Sequence, residues 1–258
     1  MNGFRISLEK FRSVLASEID ADVADSLFGL AAALSVSAMA RSCEAAESGS
    51  NPQAIGMEDV AELFILTRGV RDVIAVTRDH IVQGPMSALF PAHSAPEGME
   101  ITLSAPVESQ FDALQEMLEG WGLDPEALEH CHSALRDLHE IYENVVYWGT
   151  RGHVETGQVV RWMKMVSTEF VRLIQARCQP ALVIFAYFAA ASSAVRTAWY
   201  IENWGEYCIW GVSLELEDRM QHFIEWPREK AEQRMAALGI KAQEPDDSLV
   251  KPIVGFGT

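Results

Sequence analysis

Eleven consecutive apolar residues, Ala181 to Ala191, constrain this chain more than any other feature. As a helix they reach about 17 Å, well short of the ~30 Å hydrocarbon core of a bilayer. Ser192, Ser193 and Arg196 close the run. A helix that is apolar on every side must be surrounded by other elements of its own domain. Leu27 to Ala40 has the same character and is expected to be a second central helix.

The remaining periodicity is helical. Val159, Trp162, Met163, Val166, Phe170, Leu173 and Ile174 recur at three and four residues, with Arg161, Lys164, Glu169 and Arg172 on the other side. The spacing predicts one amphipathic helix. Leu63, Leu66, Val70, Val73 and Ile74 repeat the pattern, as do Leu114, Met117 and Leu118, and Leu128, Leu135, Leu138 and Tyr142. No run alternates as a strand does. The expected fold is all-α, an orthogonal bundle of about eight or nine helices around the two central apolar ones.

Ser48 to Pro52, Gly84-Pro85, Pro91 to Gly98 and Gly149 to Gly157 hold residues that stop helices. Asp124-Pro125 reads as an N-cap with proline at the first helical position, and Trp226-Pro227 as the divide between a long helix and a short charged one. Residues 1–239 are expected to form a single helical domain, followed by an extended tail over 240–258.

A chain of 258 residues, 49 % hydrophobic, buries a core large enough to need no disulfide or structural metal. Cys43, Cys131, Cys178 and Cys208 are widely spaced, as buried reduced thiols would be. Lys and Arg number 20 against 37 Asp and Glu, a net charge of −17. That balance disfavours direct DNA binding and attachment to an anionic membrane. Met1 to Arg5 opens no apolar leader, so an intracellular location, cytoplasm or nucleus, is expected.

Glu129-His130-Cys131-His132 with His139, Glu140 and Glu143 is the densest set of potential ligands, but its spacing is wrong for a helical zinc pair, and no metal is expected. His132, Arg136, His139 and Glu143 share one face, which reads as solvated. No nucleophile elbow or phosphate-binding glycine loop occurs, and no cofactor is implied. Tyr187, Phe188, Trp199, Tyr200, Trp204 and Tyr207 fall close together and are the candidate ligand-binding residues. Rings supply apolar area and a few polar atoms fix orientation, although such a stripe also suits plain core.

At these residues the chain resembles the C-terminal effector region of fungal zinc-cluster transcription regulators, of the sterol-uptake control type. Phe11-Arg12-x-x-Leu15, Leu27 to Ala31, Leu66 to Arg71, Pro180 to Phe188, Trp199-Tyr200-x-x-x-Trp204 and Glu225 to Arg228 stand in the family's order, over about Phe4 to Glu229. The resemblance implies an all-α domain that binds a sterol-like ligand and self-associates. The family's six-cysteine DNA-binding cluster has no counterpart here, and neither do its linker and the first helix of its effector region. If Met1 is the natural start, DNA binding of that kind is excluded, and apolar surface is left for a partner or ligand.

Three functions follow as expectations. The first is a module that binds an apolar small molecule, sterol-, terpenoid- or polyketide-like, in regulation of lipid or secondary metabolism, as a homodimer or paired with a full-length regulator. The second is a cofactor-independent, pericyclase-like cyclase or isomerase of natural-product assembly, with Arg196, Tyr187, Tyr200 and His80 as the polar groups to test. The third is an interaction module whose apolar surface serves dimerisation.

Overall fold

The computed structural model describes residues 21–48, 54–85, 101–152, 154–195, 198–201 and 203–233. Among them the chain forms nine α-helices and no strand, the all-α bundle expected from the periodicity. They are α1 (Ala21–Ser48), α2 (Met57–Ile81), α3 (Ala105–Trp121), α4 (Pro125–Gly149), α5 (Thr156–Met165), α6 (Thr168–Gln175), α7 (Gln179–Ser192), α8 (Trp204–Glu215) and α9 (Glu225–Glu232). Single 3-10 segments occupy Trp199–Ile201 and Asp218–Ile224. The proposed tail, 240–258, lies outside the described residues, as does the Pro91 to Gly98 break.

α7 is the centre. Every residue from Pro180 to Ser192 is buried, and α3, α4, α5, α6, α8 and α9 all pack on it. Its axis turns 105° from that of α6, which makes the packing orthogonal. The approach of α8 is set by glycine. A Cβ on Gly205 would stand 2.3 Å from the Ala189 carbonyl of α7, and one on Gly211 would stand 2.0 Å from the Ile55 carbonyl.

The second apolar segment is not central. α1 buries one side, including Ala24, Leu27, Phe28 and Met39, and leaves Leu30 52 % and Leu34 48 % exposed. Its first turns pair with the end of α2 in a small core of their own, Ala24, Leu27, Phe28, Ala31, Val73 and Ile81, separate from the main one. Over Leu27 to Ala40 the exposed positions are Leu30, Ala33, Leu34 and Ser37, so no charge within that stretch marked it as outward in the sequence. By length and composition α1 is also apolar enough to cross a bilayer, and 28 % of its most apolar stretch is buried.

The amphipathic stretch from Val159 to Ile174 is two helices. Val166 turns extended, with ψ of 147°, and the Ser167 hydroxyl accepts from the Phe170 N–H to start α6. Arginines from α2 take the carbonyls freed at the break: Arg68 donates to Val166 and Arg71 to Lys164. Trp226-Pro227 likewise does not divide two helices, because Pro227 lies in the first turn of α9, where its missing N–H costs nothing.

α3 and α4 form a helical hairpin. Gly122 ends α3 in the left-handed region, with φ of 77°, and Asp124 caps α4 by accepting from the Glu126 and Ala127 N–H groups ahead of Pro125. The N-cap read from the sequence is thus in place, and the three-residue link holds the two helices side by side.

Candidate functional site

The candidate aromatic residues do not form one wall. Phe188 is fully buried, stacked on Trp162 at 4.5 Å and edge-on to Trp204 at 6.0 Å. Trp204 is 1 % exposed, and its indole N–H has no partner. A side chain with almost no accessible surface faces neither solvent nor a cavity that admits water, so this group is packed core. Trp199 stands 73 % exposed, edge-on to Tyr200. The Tyr200 hydroxyl donates to Thr156 Oγ1 at 3.3 Å, and that of Tyr207 donates to Glu47 Oε1 on α1 at 3.0 Å. His80 is exposed in the last turn of α2, and Arg196 lies outside the described residues.

Tyr187 alone leads toward an open site. Its ring stacks on Trp226 at 5.3 Å, its carbonyl accepts from the Tyr142 hydroxyl, and its own hydroxyl donates to Gln110 Oε1 on α3 at 2.8 Å. Burial pushes both phenols up from their ordinary range, so both remain donors at neutral pH. The neighbour of Gln110, Phe111, packs its edge on Tyr142 and on His139, at 5.2 and 4.9 Å.

Outside Phe111 runs a groove of about 280 Å³ between α3 and α4. α3 supplies Glu108, Phe111, Asp112 and Gln115, and α4 supplies His132, Leu135, Arg136 and His139. Each set has spacing 0, 3, 4 and 7, one helix face apiece. Phe111 and Leu135 are the apolar floor, 6 % and 5 % exposed, and the others are the polar rim. Arg136 reaches Glu129 at 3.4 Å, and His132 Nε2 is buried without a partner.

His139 sits between two carboxylates. Its Nε2 is 3.1 Å from Glu108 Oε2, and its Nδ1 is 3.5 Å from Glu143 Oε1. Burial raises the Glu143 carboxyl, the imidazole opposes this, and Glu140 and Glu108 add to the rise. An imidazole facing an oxygen at each nitrogen satisfies both only when it carries two protons or one carboxyl does. The group lies at the groove's edge. Its two carboxylates lie on opposite sides of the ring and do not converge. Among the described residues no group of three or more His, Cys, Asp or Glu is arranged to hold a metal ion.

A second cleft of about 270 Å³ lies between α1 and α2, lined by Ala38, Arg41, Ser42, Ala45, Asp59 and Glu62. Burial raises the Asp59 carboxyl, and Glu62 and Glu58 raise it further. This cleft has no aromatic floor.

No protein-family model, curated protein or solved structure matches the chain. The face of His132, Arg136, His139 and Glu143 was legible in the sequence as a set, but it read as solvated. What converts it to a groove is α3, whose Glu108, Phe111 and Asp112 carry no sequence signal linking them to α4.

Proposed function

We propose that this chain is a helical small-molecule-binding module. Its ligand is apolar with at least one polar group, of sterol, terpenoid or polyketide type, and the module acts in regulation of lipid or secondary metabolism. The α3–α4 groove carries the reading, because it joins an apolar floor to convergent polar groups, the usual make-up of a ligand site. Its volume, about 280 Å³, falls just below the range of such clefts, ~300 to ~1,000 Å³. It thus takes a ring or two with their polar group, and the remainder of a larger ligand lies outside. The regulatory part rests on the resemblance to the effector regions of fungal zinc-cluster regulators.

The test is native mass spectrometry of the protein from its own host, with thermal shifts against ergosterol, farnesol and emodin. A stoichiometric bound molecule, lost in Asp112→Trp at the exposed rim, is the expected result. An empty protein whose melting none of the three changes ends this reading.

The outer face of α1 favours a second reading, an interaction module that pairs with a second copy of itself. Leu30 and Leu34 stand exposed, flanked by Ala33 and Ser37, which are small enough for close helix approach. A two-fold contact needs only one such self-complementary face. Sedimentation tests it: the native chain should be a dimer, and Leu30→Glu with Leu34→Glu a monomer. A native monomer at high micromolar concentration sinks it.

A further inference from the structure

The groove holds the parts of an acid–base site as well as those of a binding site. Glu108, at 41 % side-chain exposure, is open to a ligand and in contact with His139. Arg136 stands one turn before His139 on the same rim, and Gln115 and His132 lie at the opposite end, about 10 Å away along the helices. Between the ends are Phe111 and Leu135, whose faces seat an apolar skeleton and exclude water beneath it. The arrangement offers a carboxylate base, a cation one turn away for a developing oxyanion, and an apolar seat.

We propose that the α3–α4 groove is a proton-transfer site for an apolar unsaturated ketone, with Glu108 as the base and Arg136 as the oxyanion partner. This deepens the small-molecule reading and rests on it. The reaction is an allylic shift. Glu108 removes a proton from the carbon between the carbonyl and the double bond. The C–H electron pair forms the enolate double bond, and the enolate oxygen accepts hydrogen bonds from Arg136. Glu108, open to water, exchanges the proton it has taken with solvent and gives one back, either to the original carbon or to the far alkene carbon. In the second case the enolate collapses and the double bond ends conjugated with the carbonyl. No atom is gained or lost and nothing is oxidised, so no cofactor is required. His139 is a positioning residue: paired with Glu108 on one side and Glu143 on the other, it fixes where the Glu108 carboxylate stands.

The experiment uses the full chain with cyclohex-3-enone in D2O. Proton NMR follows deuterium uptake beside the carbonyl and conversion to cyclohex-2-enone, and saturation transfer reports binding. The native chain should accelerate both reactions over buffer. Glu108→Gln should lower them by about 100-fold while the ketone still binds, a loss typical of a missing general base. Arg136→Met should lower them less, and Glu116→Gln, exposed on the same helix, should leave them unchanged. His139→Asn should lower kcat and leave KM near the native value, a split that a merely structural residue would not give. Glu108 and Asp112 on α3, and Arg136, Glu140 and Glu143 on α4, are the charged groups around it. Binding without exchange, or exchange equal in Glu108→Gln, overturns the proposal and leaves the binding module standing. Absence of ketone binding overturns this proposal as well, while the binding module stands or falls on the bound native ligand and the thermal shifts.

Discussion

The Tyr142 hydroxyl donates to the main-chain carbonyl of Tyr187 at 2.8 Å, joining the middle of α4 to the middle of α7 where neither side chain meets solvent. The Tyr187 hydroxyl continues the line to Gln110 on α3. Three helices are thereby fixed in rotation as well as in distance. Tyr142→Phe keeps the ring against Phe111 and removes one buried hydrogen bond, and should cost about 1–2 kcal/mol in urea denaturation. Tyr142→Ala adds a cavity and should cost about 3–5 kcal/mol. Equal losses would mean that the hydroxyl, not the packing, carries the whole effect.

Arg68 holds the α5–α6 break. Its guanidinium donates to the Val166 carbonyl and, at 2.8 Å, to Thr168 Oγ1. Arg68→Met leaves that carbonyl without its donor and should cost about 1–3 kcal/mol. Arg68→Lys should recover only part, since an ammonium cannot place two donors in the same fork. Ser167→Ala, which removes the α6 cap, should cost about 1 kcal/mol. Chemical denaturation of the three variants ranks them, and an Arg68→Met chain as stable as the native one refutes the assignment.

Two kinds of helical glycine should respond oppositely to alanine. A Cβ at Gly69 meets nothing within 4 Å, so Gly69→Ala should stabilise by about 0.5–1 kcal/mol through helix propensity. At Gly211 the same carbon would stand 2.0 Å from backbone oxygen, which must move. Gly211→Ala should cost about 1–3 kcal/mol or more by overpacking. Melting temperatures should move in opposite directions, and a neutral Gly211→Ala would mean that the 54–56 segment is free to shift off α8.

Stability should fall in alkali. Burial pushes the Cys43 and Cys131 thiols from 9.0 up to about 12 and raises that of Cys208 as well. Below pH 9 these groups are protonated whether the chain is folded or not. Above it the unfolded chain releases protons that the folded one keeps, so the stabilisation is lost as pH rises from 9 toward 12. Each group contributes a slope of about 1.4 kcal/mol per pH unit in that window. Urea midpoints between pH 8 and 10.5 should decline, and less steeply in Cys131→Ala. An unchanged slope would show the Cys131 thiol titrating normally.

Much of the architecture was written locally. Ala181 to Ala191 has no polar side to turn outward, so its central place followed from composition, and the Asp124-Pro125 start followed from cap chemistry. The α5–α6 break did not, because the stripe from Val159 to Ile174 runs through it unbroken. What ends α5 at Val166 is the Ser167 cap together with arginines nearly a hundred residues earlier.

The sequence by itself determined that the chain is helical and which segment must be its centre, since periodicity and apolar length are properties of neighbours along the chain. Only the tertiary structure decided that α1 lies outside, that Phe188 and Trp204 are core, and that His139 bridges Glu108 and Glu143 above Phe111. An aromatic residue looks the same in sequence whether its faces meet other rings or a ligand. That choice depends on how far apart the helices stand, and the distance is set by contacts between segments remote from one another.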